Sequence, residues 1–66
     1  MTLHAAVFPE GTRVRVRAGR LPMVPELPGR VGTVVGTDEY RPRHYAVLLD
    51  GESEAREFAQ DELEAA

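Results

Sequence analysis

An all-β fold, in the form of a very small barrel, is what this sequence predicts, and three stretches predict it. Val14 and Val16 alternate with Arg13, Arg15 and Arg17, the period-two pattern of a half-buried strand. Gly29-Arg-Val-Gly32-Thr-Val-Val35-Gly36 threads glycines through a valine-rich run. Tyr45-Ala-Val-Leu-Leu49 is a further apolar run, and it stops at the turn-forming pair Asp50-Gly51.

The 66 residues suffice for one domain, read as an arm over residues 1–8 and a barrel over 9–63. Leu3, Val7 and Phe8 are the apolar content of the arm, and Pro9-Glu-Gly11 is a turn. From Thr12 the first strand places its valines on one face and its arginines on the other. Ala18 to Pro28 holds Pro22, Pro25 and Pro28, which have no N–H to give to a ladder, so this segment is a loop. A three-residue repeat lines up Leu21, Val24 and Leu27 along one edge, as polyproline II does. That edge either lies over an open barrel end or forms an apolar lip for a partner.

Val31 to Thr37 is the second strand, and Gly32 inside it marks a bulge or a close backbone crossing. A β-branched residue there is expected to be costly if the glycine sits at positive φ. Asp38 to Arg43 is a polar connection. In the third strand Tyr45, Val47 and Leu49 share a face, while Ala46 and Leu48 take the other. Leu48 facing outward asks for cover, which the N-terminal arm could provide, or a second copy of the chain if that strand self-associates. A fourth strand runs from Ala55 to Phe58, and Gln60 to Leu63 reads as a short helical turn. The predicted core is Val14, Val16, Val34, Val47, Leu49, Phe58 and Leu63. About five short strands, no long helix and tight glycine punctuation give an SH3-like barrel.

Composition narrows the chemistry. There is no cysteine, so disulfides, thiolate metal sites and thiol catalysis are excluded together. His4 and His44 are too few for a zinc site, and Ser53 has no neighbouring base in its acidic turn. The carboxylates after Asp50 lack calcium-loop spacing, and no lysine follows the glycines as a phosphate loop requires. No catalytic constellation stands out, so a non-enzymatic chain without cofactor or metal is expected. No apolar run reaches the roughly 20 residues of a membrane span, and the start lacks a charged-then-apolar signal pattern. A cytoplasmic location is the expectation.

Charge is uneven. Residues 1–44 carry seven arginines against four acids, a balance of +3; residues 45–66 carry Arg56 against seven acids, a balance of −6. Together they give the net −3. Every basic residue is an arginine, whose planar fork suits carboxylates and phosphates. The strand-face arginines can pair with carboxylates of the second half.

Phe8-Pro-Glu-Gly11-Thr-Arg-Val14-Arg-Val16, Leu21-Pro22 and Pro28-Gly-Arg-Val-Gly32-Thr-Val34 together resemble the C-terminal barrel of the nitrile hydratase β subunit. Tyr45-Ala-Val47 with Glu57-Phe58-Ala-Gln-Asp61-Glu62-Leu63 is similar to photosystem I accessory subunit IV and to the variable chain of ferredoxin–thioredoxin reductase. These share the SH3-like superfamily of electron-transport accessory proteins, and the likeness spans residues 8 to 63. It implies an accessory domain that docks on a larger protein. The metal-binding residues of nitrile hydratase belong to its other subunit, and nothing in this chain replaces them.

The expected function is therefore a protein-interaction module. Its candidate surface combines Leu21, Met23, Val24 and Leu27 of the loop with Arg15, Arg41 and Arg43, and Tyr40 as aromatic anchor. The alternative is an RNA- or single-strand-binding barrel of the KOW type, using the same arginines and tyrosines. The 18–28 segment is longer than that motif's.

Overall fold

The computed structural model describes residues 7–18, 26–37 and 40–66. Five antiparallel strands form one sheet: β1 (Arg13–Val16), β2 (Val31–Thr37), β3 (His44–Leu49), β4 (Arg56–Ala59) and β5 (Leu63–Ala65), in the order β4-β3-β2-β1-β5. A 3-10 turn, Gln60–Glu62, joins β4 to β5 and is the only helical element among the described residues. Three consecutive hairpin-like pairings and a return of β5 to the open side of β1 give the rolled, all-β architecture expected. Short β4 and β5 are its two edges, which limits the unpaired backbone on offer.

Alternation decides the inside. Val14 and Val16 of β1, Val34 of β2, Tyr45, Val47 and Leu49 of β3, Phe58 of β4 and Leu63 of β5 are all buried in one cluster. The register brings them face to face: Val34 lies opposite Val47, Tyr45 opposite Phe58, and Val16 opposite Leu63. Every core residue expected from the pattern is therefore in the core. Two more join them. Phe8, assigned to the arm, is 8% exposed, and Leu27, assigned to the loop edge, is 9% exposed. β5 also runs to Ala65, past the expected end of the barrel, because its backbone extends the β1 ladder.

Gly32 is a close crossing, as one of the two expectations had it. A Cβ there would stand 2.6 Å from the Leu48 carbonyl oxygen and 2.8 Å from Leu49 Cα. Its φ is not positive, so space alone demands glycine. The bulge lies further along, where the register slips between Val34 and Gly36. Val35, the residue passed over in that slip, faces outward and is 43% exposed.

Four turns share one pattern, a hydrogen bond from the fourth residue's N–H to the first residue's carbonyl. They run Pro9 to Thr12 (3.0 Å), Leu27 to Arg30 (3.0 Å), Leu49 to Glu52 (3.0 Å) and Arg41 to His44 (3.2 Å). The third residue of each has positive φ: Gly11 at 92°, Gly29 at 90°, Gly51 at 90° and Arg43 at 66°. This is the type II arrangement, which asks for glycine at that position. Three of the four comply.

Candidate functional site

Arg43 is the exception, and the only non-glycine residue at positive φ among those described. For an L-residue the left-handed region costs about 1–2 kcal/mol, because Cβ crowds the following carbonyl. The turn is held from both sides. Arg41 donates to Glu57 Oε1 at 2.8 Å, and its other terminal nitrogen lies 3.2 Å from His44 Nε2. His44 Nδ1 lies 3.1 Å from the Pro42 carbonyl. Since Arg41 can only donate, Nε2 accepts and the Nδ1–H tautomer satisfies both contacts. Gln60 N–H closes the other side, donating to the Arg43 carbonyl at 2.7 Å. Backbone and neighbours are thus committed, while the Arg43 guanidinium has no partner among the described residues.

The other described arginines differ. Arg13 forms a two-pronged pair with Asp50 at 2.6 and 2.8 Å, and Arg56 one with Glu52 at 2.8 and 3.0 Å. Arg30 lies 3.8 Å from Glu52, Arg15 3.5 Å from Glu64, and Arg17 3.9 Å from Glu64. Arg41 faces Glu57. The pairing of strand-face arginines with carboxylates of the second half is as the charge distribution suggested. Hydrogen bonding to Arg13 holds the Asp50 carboxyl below its usual range, and Arg56 does the same for Glu52; the partner arginines move upward correspondingly.

Arg43 lines a groove of about 550 Å³. One wall is the β2–β3 turn, Pro42 to His44. The opposite sides come from Val7 and Phe8 of the arm and from Ala59, Gln60 and Asp61 after β4, with Arg17 and Leu63 completing it. Tyr45 fixes the arm in place: its Oη accepts from Val7 N–H at 3.1 Å and donates to Gln60 Oε1 at 3.2 Å. The Phe8 and Tyr45 rings meet edge to face. Nearby on the same turn-bearing loop, Tyr40 is 90% exposed, and Val7 beside the groove is 57% exposed.

Of the candidate surface residues, Arg43 and Tyr40 come from one loop. Arg41 is on it too, but its side chain braces the turn. Arg15 sits on β1 pairing with Glu64 and does not line the groove. Leu27 is removed from the candidate surface, since it is buried in the core. Leu21, Met23 and Val24 lie outside the described residues. Val7, Arg17 and Gln60 are groove residues that sequence reasoning missed, because only the fold joins positions so far apart. Among the described residues no cluster of three His, Asp or Glu side chains is placed to hold a metal ion, and no helix is long and apolar enough to cross a membrane. Compared with protein-family models, with curated proteins and with solved structures, the chain matches none.

Proposed function

We propose that this chain is a non-enzymatic docking module for a larger protein, working through the β2–β3 loop and the groove beside it. The observation that carries this reading is the way the arginines are used. Arg13, Arg15, Arg17, Arg30, Arg41 and Arg56 each face a carboxylate of the chain itself. They share four carboxylates, Asp50, Glu52, Glu57 and Glu64, so much of their positive charge is offset on the spot, which disfavours a polyanion that needs several free cations along its backbone. Among the described residues Arg43 alone of the arginines faces no carboxylate; it lines the groove with Val7, which is 57% exposed, and Tyr40 on the same loop is 90% exposed. Tyrosine and arginine are the residues enriched where protein interfaces concentrate their binding energy. The resemblance to accessory barrels that dock on redox and metalloenzymes points the same way.

A photo-cross-linking amino acid placed at Tyr40, and at Ser53 in the acidic β3–β4 turn as control, tests the reading. A discrete protein adduct from position 40, absent from position 53 and reproduced with purified components, is expected. Adducts of equal yield from both positions, or adducts removed by nuclease, would count against it.

A further inference from the structure

We infer that the groove receives an acidic segment of the partner: an aspartate or glutamate on Arg43, with an adjacent apolar side chain against the Phe8–Leu63 floor. The inference rests on the docking reading above and names the chemistry of what is docked.

The comparison among the four type II turns carries it. Gly11, Gly29 and Gly51 fill the positive-φ position in three of them, and Arg43 fills it in the fourth. Glycine would satisfy the backbone there without strain. An arginine in that place adds only its side chain, and that side chain makes no bond within the described structure. Strain held by a surrounding that over-determines it is a mark of functional positions. The surrounding is explicit: Arg41 on Glu57 and His44, His44 on the Pro42 carbonyl, and Gln60 N–H on the Arg43 carbonyl fix the turn. The fixed backbone presents the Arg43 side chain from one place, at the rim of the groove.

The groove's other features specify the ligand. At about 550 Å³ it has the size of a site for a small ligand or short peptide. Val7, Phe8, Ala59 and Leu63 supply apolar surface, which suits a side chain and not a phosphate backbone. Arg17 stands on the same rim, loosely held at 3.9 Å from Glu64 and 3.4 Å from the Asp61 carbonyl, and adds positive potential. Among the described residues Asp61 is the sole carboxylate in the lining, against Arg17 and Arg43. The local field therefore favours a single negative group, although the chain as a whole is acidic. A carboxylate on a guanidinium is a charge-assisted contact with fixed geometry, so it also sets the register of the neighbouring apolar residue.

A random heptapeptide phage library selected on the immobilised protein, with counter-selection on Arg43→Gly, tests this. Arg43→Gly suits the turn, so failure to fold does not confuse the result. Enriched peptides are expected to share a carboxylate next to an apolar residue. A synthetic peptide of that consensus should bind about tenfold or more weakly to Arg43→Gly, with part of the loss restored by Arg43→Lys. Its binding should move the amide resonances of Val7, His44, Gln60 and Leu63. Absence of enrichment, enrichment without a carboxylate, or equal binding to Arg43→Gly would overturn the inference. A partner cross-linked from position 40 whose affinity ignores Arg43→Gly would also overturn it, while leaving the docking module intact.

Discussion

The ring of Phe8 meets the ring of Tyr45 edge to face, with centroids 5.5 Å apart and planes at 69°. This contact, together with the Tyr45 hydrogen bonds to Val7 and Gln60, joins three segments distant in sequence at one side of the groove. The groove's shape thus depends on a core residue of β3 that also carries a polar tip.

Tyr45→Phe separates those roles. The ring stays, but Val7 N–H loses its acceptor and Gln60 its donor, each worth about 0.5–1.5 kcal/mol. A modest drop in melting temperature is expected, with amide exchange at Val7 and Phe8 accelerated well beyond that of β2. Unchanged protection of the arm would show that the aromatic contact alone holds it.

Gly32 and Gly36 make a matched pair. Gly32→Ala drives a Cβ into the backbone of Leu48 and Leu49, which cannot yield without parting β2 from β3. Loss of cooperative folding at ordinary temperature is expected. Gly36→Ala meets nothing nearer than the Ala46 Cβ at 4.0 Å and should alter stability by less than about 1 kcal/mol. Circular dichroism melts of the two variants side by side decide it.

Phe58 sits opposite Tyr45 in the core, 4% exposed. Phe58→Ala is expected to cost about 3–5 kcal/mol, against a total of about 3–5 kcal/mol for a domain of this size. Most of the population should then be unfolded, as urea titration would reveal by the absence of a native baseline.

Acid should weaken the fold through two carboxylates. Asp50 and Glu52 have folded values held below the ordinary range by Arg13 and Arg56. A lowered folded value contributes stability that is present above the unfolded value and is lost as pH falls through the folded one. The melting temperature should hold steady down to about pH 5 and fall below about pH 4. Asp50→Asn with Glu52→Gln should flatten that decline, and added salt should reduce its size.

The barrel was legible because strand burial obeys a period of two, and Val14, Val16, Val47 and Leu49 follow it without a break. β2 was legible as a strand with Val34 inward, but its bulge was not: only the pairing with β3 shows the slip between Val34 and Gly36. Leu63-Glu-Ala65 is too short to display a period, so β5 was hidden until β1 supplied a ladder. Phe8 entered the core for the same kind of reason, since its partner Tyr45 lies 37 residues away in number. Part of the site could be read from sequence. Arg43 beside Pro42 and Tyr40 is visible in the chain, and proline before the third turn position fits type II geometry. The missing glycine hid that turn, and with it the strain at Arg43.

The thermal melt of Arg43→Gly tests the central claim, that the Arg43 side chain serves something other than the fold. Relief of left-handed strain, about 1–2 kcal/mol, should outweigh the added freedom of glycine in the unfolded chain, about 0.4–1 kcal/mol. The account predicts a melting temperature equal to the parent's or several degrees above it. A fall of several degrees would mean that the Arg43 side chain holds the structure together, and would contradict it.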